Sequence, residues 1–340
     1  MKLTGRFNMA VFRILLFVGL ACLALLASNR LQQNIYSRHE FQYSIESADN
    51  MKPLTANSKM EASGTDLPDA LETGMDKVRE EMQNEDYPKL DIPELRNKII
   101  RFIEDKNGFY GIYFKGLYSK SEFGINATEE FIAASTIKIP LNLLIYSQIA
   151  QGLLDPDKEL EYREEFYEGG SGRIQFEKPG TKFTVRELAK LSIVVSDNIA
   201  TNMLLDMVDR KKFKDYLRSL GGQVVDDIKN VSCPVDMGLY LELLYDFCMN
   251  NKELGDELLH NLENTVFNDR LPKYLPEGIR VAHKIGNQYQ TYHDVGIVFA
   301  KREPYIICVM SKGAKEQEAY ETIALISKMV YDFVEGLNNQ

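Results

Sequence analysis

The sequence predicts an α+β fold from about Asp91 onward. Three observations carry this: an aromatic, strand-like run early in that region, three strand-like runs near its end, and a block of helical periodicity between them. Strands from both ends of the region then build one antiparallel sheet flanked by helices. The middle block forms an all-helical subdomain.

Each element has its own warrant. Ile92-Pro-Glu-Leu-Arg-Asn-Lys-Ile-Ile-Arg-Phe-Ile repeats apolar residues at helical spacing, and Pro93 suits a first turn. Phe109–Tyr118 is aromatic and reads as a strand, followed by a strand or turn near Phe123–Ala127. A helix is expected from Ser135 to about Gln151, ended by Gly152. Thr184–Val195 opens on Thr184 with Glu187 three residues on, a capping-box pattern. Asn198–Val208 and Cys233–Asn250 are further helices. Ile279–Lys284, Tyr292–Ala300 and Tyr305–Ser311 read as strands, and a last helix runs from about Lys315 to Val334.

Composition narrows the function classes. The chain has 340 residues, 44% hydrophobic and 26% charged, which excludes wholesale disorder, collagen and a multi-pass membrane protein. A net charge of −10 disfavours general nucleic-acid binding, which needs a basic footprint. Four cysteines are too few for a disulfide scaffold. The charge is uneven: +4 over residues 1–30, −6 over 31–90 and −8 over 91–340.

Residues 9–27 contain one charge, Arg13, and are near the length that crosses a bilayer. The basic residues before them place residues 1–8 in the cytoplasm and the following chain outside. A cleaved signal peptide and an uncleaved anchor both fit. Leu25 before Ala27 spoils a small-x-small cleavage pattern, which favours the anchor. Residues 28–90 are polar and weakly periodic, and read as a disordered tether. Residues 91–340 are the folded domain.

Three short motifs carry chemistry. Ser135-Thr-Ile-Lys138 puts a hydroxyl and an amine one helical turn apart. Serine is a poor nucleophile without an adjacent base, and lysine is a base only when neutral, which burial favours. Ser196-Asp-Asn198 falls between two helical runs. Lys284-Ile-Gly286, followed by Asn287, lies at the end of a predicted strand. There a lysine would bind a substrate carboxylate, and glycine would let a substrate backbone lie close. Singly, each motif also reads as a cap, a turn or a solvated lysine.

The trio, in these elements and in this order, resembles the Ser-x-x-Lys, Ser-Asp-Asn and Lys-Thr-Gly set of the class A β-lactamases and their penicillin-binding relatives. The similarity spans about residues 95–336, including FIAASTIKIP at 131–140 and SDNIATNMLL at 196–205. It implies a β-lactamase/transpeptidase-like fold and an acyl-enzyme mechanism without cofactor or metal. By that resemblance Ser135 is the nucleophile, Lys138 its proton-transfer partner and Ser196 the relay to the leaving nitrogen. Asn198 orients Lys138 and the substrate amide, Lys284 binds a carboxylate, and the N–H groups of Ser135 and Asn287 form an oxyanion hole. Gly169–Gly172 falls at one wall of the cleft, where Tyr167 would stack on substrate or lie in solvent. The implied substrate is a β-lactam or a peptidoglycan-like amide. The alternatives are a D,D-peptidase, esterase or penicillin-binding protein and, from another class, a non-catalytic wall-binding or sensor module.

The pattern breaks twice. Ile285 stands where the family has Thr or Ser, removing a hydrogen bond to a substrate carboxylate worth about 1.5–3 kcal/mol. Between Leu220-Gly221 and Ser232-Cys-Pro234, the segment GQVVDDIKNV is shorter than the family's loop and lacks its deacylating Glu. Asp226 or Asp227 would have to substitute. The histidines His39, His260, His283 and His293 accompany no Gly-x-Ser-x-Gly elbow, so a Ser-His-Asp triad is disfavoured. Cys233, Cys248 and Cys308 read as buried free thiols.

Overall fold

A computed structural model describes residues 90–337. The expected anchor at 9–27 and almost all of the tether at 28–90 lie outside the described residues. Among the described residues no helix is long and apolar enough to cross a membrane.

The order of elements is α1 (Ile92–Glu104), β1 (Phe109–Gly116), β2 (Glu122–Ile125), β3 (Phe131–Ile132), a 3-10 turn (Ala134–Ile137) and α2 (Lys138–Ala150). Then come β4 (Glu159–Glu161), β5 (Lys182–Thr184), α3 (Val185–Val194), α4 (Asn198–Val208) and α5 (Arg210–Ser219). The chain ends with β6 (Val231–Ser232), α6 (Pro234–Asn250), α7 (Lys252–Glu263), β7 (Val281–Gln288), β8 (Thr291–Phe299), β9 (Pro304–Lys312) and α8 (Glu316–Val334).

Five strands form one antiparallel sheet in the order β2-β1-β9-β8-β7. Its strands come from both chain ends, as expected. One face packs against α1 and α8 through Leu95, Ile99, Ile323, Ile326 and Val330. The other face packs on the helical half through Ala282, Val295, Ile297, Ile306 and Cys308. At the centre of that half α2 is buried over most of its length, from Lys138 to Leu143 without interruption. An all-round apolar helix is the central post of such a bundle.

Local signals explain several boundaries. Thr184 and Glu187 make the reciprocal capping box that opens α3. Asp197 caps α4 by accepting from Ala200 N–H, and Pro234 opens α6. Two expectations shift. Ser135 lies in a 3-10 turn and the α-helix begins at Lys138. Strand β7 runs past Lys284 to Gln288, because its ladder with β8 continues to Gln288↔Thr291. The hairpin turns on Tyr289 and Gln290, with Gln290 at φ 52. Lys284 is therefore in mid-strand. Cys233, Cys248 and Cys308 are buried free thiols, as expected.

Candidate active site

The three motifs meet where α2, α4 and β7 converge. Ser135 lies in the 3-10 turn, three residues before Lys138, which opens α2 and whose N–H donates to the Ser135 carbonyl. The turn is entered through Ala134 at φ 48, a left-handed value that costs a non-glycine residue on the order of 1–3 kcal/mol. Two contacts hold this approach. Asn230 Nδ2 donates to the Ala134 carbonyl at 2.9 Å, and His293 Nε2 bonds the Ile132 carbonyl at 2.7 Å. His293 Nδ1 accepts from Ser311 N–H, so this imidazole is neutral, and burial pushes its pKa down to about 4.

Lys138 is 3% exposed. Its ammonium donates to the Ser196 carbonyl at 2.7 Å, to Asn198 Oδ1 at 2.9 Å and to Ser196 Oγ at 3.2 Å. Ser196 turns both its carbonyl and its hydroxyl to this lysine by adopting φ 53, the second left-handed residue of the site. Burial pushes the Lys138 pKa down to about 7, while Asp197 and Glu168 oppose the shift. An amine in this condition is a base near neutral pH.

Lys284 approaches the same hydroxyl from β7. It is fully buried and donates to Ser196 Oγ at 2.9 Å and to the Ile285 carbonyl at 3.2 Å. Burial and the neighbouring Lys138 push its pKa well below the ordinary lysine value, against the pull of Asp294. One serine hydroxyl thus joins two buried amines. Gly286 has a packing role: a Cβ there would come within 3.1 Å of the Ala133 carbonyl and of the Thr136 methyl. Glycine lets β7 pass close against the turn that carries Ser135. Asn287 is exposed at the end of β7, with Nδ2 donating to Tyr320 Oη at 3.0 Å.

Several side chains without an assigned chemical role shape this neighbourhood. Asp197 spends one carboxylate oxygen on its helix cap. The other accepts from Arg173 N–H at 2.7 Å and Ile174 N–H at 2.9 Å, which fastens the Gly169–Gly172 wall to the second motif. Gly172 is required there, because at φ 96 a Cβ would overlap the Asp197 carboxylate. Tyr167, beside this wall, is 59% exposed. Arg270, 1% exposed, donates to the His293 carbonyl at 2.7 Å and stacks 3.8 Å from the Tyr320 ring centroid. Asp294 holds His283 Nδ1 at 2.8 Å and Leu271 N–H at 3.0 Å. The His283 Nε2 faces Asn268 at 3.4 Å and touches no serine, so the His–Asp pair is not part of a triad.

The short loop before α6 contrasts with this. Asp226 accepts from Ile228 and Lys229 N–H, and these bonds hold its carboxyl below the usual range. Asp227 pairs with Arg218 at 2.6 Å. Gln223 and Val224 N–H groups bind Asp236. Both candidate acids are thus engaged, Asp226 by its own loop and Asp227 by Arg218 of α5.

The comparisons agree with this architecture. The model of the beta-lactamase enzyme family matches residues 94–334. Among curated proteins, the extended-spectrum beta-lactamase PER-1 of Pseudomonas aeruginosa is 25% identical over 269 residues, 71% of this chain and 87% of its own. Beta-lactamase VEB-1 of the same organism is 24% identical over 241 residues, 62% of this chain and 80% of its own. The solved structure of PBP-A has a TM-score of 0.69 and 26% identity over 74% of this chain and 99% of that one. A mutant of PBP-A, similar at the same TM-score of 0.69, was solved as an acyl-enzyme complex with penicillin G. A beta-lactamase from Sphaerobacter thermophilus shares the fold at a TM-score of 0.66, with 24% identity over 74% of this chain and 99% of its own. With a family model matched over residues 94–334 and a fold that covers nearly the whole of solved members, the chain belongs to the beta-lactamase enzyme family, a family of serine hydrolases.

Proposed function

We propose that the chain is an extracytoplasmic serine hydrolase that is acylated on Ser135 by β-lactams or related amides and esters, and that it releases the acyl group slowly. One observation carries the acylation: Lys138 is buried, bonded to Ser196 and Asn198, and has a pKa brought down to about 7. In this reading Ser135 Oγ attacks the substrate carbonyl and its proton passes to neutral Lys138. The N–H groups of Ser135 and Asn287 stabilise the oxyanion. Ser196 relays the proton to the leaving nitrogen, its hydroxyl lying 3.2 Å from Lys138 Nζ and 2.9 Å from Lys284 Nζ. The C–N bond breaks and an ester remains on Ser135. Asn198 orients Lys138 and the substrate amide, and Lys284 supports Ser196.

Slow release is supported by the short loop, whose Asp226 and Asp227 are both engaged elsewhere. An ester without a positioned base hydrolyses slowly. The same observation favours a second reading, a penicillin-binding protein or D,D-peptidase, which transfers or holds the acyl group rather than destroying a β-lactam. In either case the apolar run at 9–27 would anchor the chain and carry the catalytic domain to the outer side of the membrane.

The test is an intact-mass measurement on the full-length chain in detergent, incubated with penicillin G. An adduct on the wild type that is lost in Ser135→Ala is the expected result. No adduct, or an equal adduct in Ser135→Ala, overturns the reading.

A further inference from the structure

We propose that Asn230, on the short loop before α6, is a positioning residue for acylation: it aims and polarises the Ser135 N–H that stabilises the oxyanion. The proposal rests on acylation at Ser135 as read above.

The peptide unit that carries this N–H also carries the Ala134 carbonyl. The unit is planar and trans, so its carbonyl and its N–H point in opposite directions. A contact that holds the carbonyl therefore aims the N–H. Asn230 Nδ2 donates to that carbonyl at 2.9 Å. The same residue grips the preceding unit, because its own carbonyl accepts from Ala133 N–H at 2.9 Å. Two contacts from one residue thus bracket Ala134, whose φ of 48 a non-glycine residue keeps only when its surroundings enforce it. The Ala133 carbonyl is held separately, by Thr136 Oγ1 at 2.7 Å.

Asn230 is itself fixed in place. Its neighbour Val231 pairs with Ile132 in the ladder of β3 and β6, and Lys214 Nζ of α5 donates to the Lys229 carbonyl at 2.8 Å. The Asn230 side chain is exposed, so it fills no core space.

A donor on a carbonyl draws charge across the peptide and strengthens the N–H on its other side as a donor. The oxyanion that forms as Ser135 Oγ attacks gains more from this than the substrate's neutral carbonyl does, so the bond from Asn230 acts on the rate rather than on binding. The steps keep their balance: the O–C bond forms, the substrate's C–N bond breaks, and the serine proton leaves on the departing nitrogen. Asn230 takes no proton and acts through the backbone. The loop whose acids are engaged elsewhere thereby contributes to forming the ester.

The test uses the full-length chain in detergent with penicillin G, the adduct being followed by intact mass and mapped to Ser135. Asn230→Ala is expected to lower the limiting acylation rate about three- to tenfold and to leave the half-saturating concentration unchanged. Asn230→Asp keeps the size but sets an acceptor against the carbonyl, and is expected to lower the rate at least as far. The second readout is the ester carbonyl stretch of the acyl-enzyme, taken by infrared difference with carbonyl-labelled penicillin G. It reports only molecules that have folded and reacted. A weaker oxyanion hole moves it to higher frequency in both variants. Limiting rates equal to that of the wild type overturn the proposal. So does a slower rate with an unmoved carbonyl stretch, which makes Asn230 a structural clamp alone. No adduct on Ser135 of the wild type overturns the acyl-enzyme reading itself, a separate result.

Discussion

Two regions border the turn that carries Ser135, and they are built to different standards. On the side of α4 and β7, each of Lys138, Ser196 and Lys284 is at least 97% buried and bonded to another of the three. The left-handed Ser196 is held there by Lys138 and Lys284, while the left-handed Ala134 is bonded to Asn230 of the other side. On the side of the 221–231 loop, the acids face their own backbone or a surface arginine, and Ile228 is almost wholly exposed. Strain and buried amines persist only where the structure over-determines them. In the function proposed above, the ordered side would form the acyl-enzyme and the loop side would supply no base to remove it.

The largest expected effect comes from breaking the wired side. Ser135→Ala is expected to abolish covalent labelling by a fluorescent penicillin, read on a denaturing gel. Lys138→Met should lower the acylation rate by about 10²–10⁴-fold, the usual weight of a general base. The wild-type stability should also depend on pH. Burial brings the folded Lys138 pKa down to about 7 against an ordinary 10.5, so between those values the unfolded chain holds a proton that the folded chain gives up. Stability then falls as pH drops from 10.5 to 7, and the methionine variant should lack this part of the pH dependence. Equal pH slopes of stability in the wild type and in Lys138→Met over that range would contradict the buried-amine account.

A smaller effect is expected at His293, which ties the approach strand to the sheet. Its folded pKa of about 4 lies below the ordinary 6.5, so the unfolded state binds more protons in between. Stability should fall as pH drops from 6.5 to 4, by on the order of 3 kcal/mol in full. Denaturant midpoints across that range check it, and His293→Asn should show a shallower fall. The smallest effect sharpens the other region. Asp226→Ala and Asp227→Ala should each leave the lifetime of the acyl-enzyme within about twofold, because catalytic bases contribute far more than that. A markedly longer lifetime in either variant would assign that residue to deacylation.

Much of this was legible in the sequence, because the motifs are local and the helices and strands announce themselves by period. Thr184-x-x-Glu187 specified its cap, and the three motifs fell in the elements that bring them together. What was not legible depends on contacts far apart in the chain. Nothing in Asn268-Asp-Arg270 signals that its arginine stacks on Tyr320 of α8. Asp197 reads as a helix cap, yet its second oxygen binds backbone 23 and 24 residues upstream. The end of β7 was misplaced because Tyr289-Gln290 carries no glycine or asparagine to mark the hairpin. The left-handed Ala134 is likewise silent, since alanine does not advertise positive φ.

The central proposal, acylation of Ser135 beside a loop without a deacylating base, is tested most directly by a pulse–chase. The full-length chain in detergent is labelled with excess fluorescent penicillin, chased with unlabelled compound, and the label on Ser135 is followed in time. The account predicts that labelling saturates and that the label then outlives its own formation time many-fold. A label lost as fast as it forms, with steady release of hydrolysed product, would contradict it.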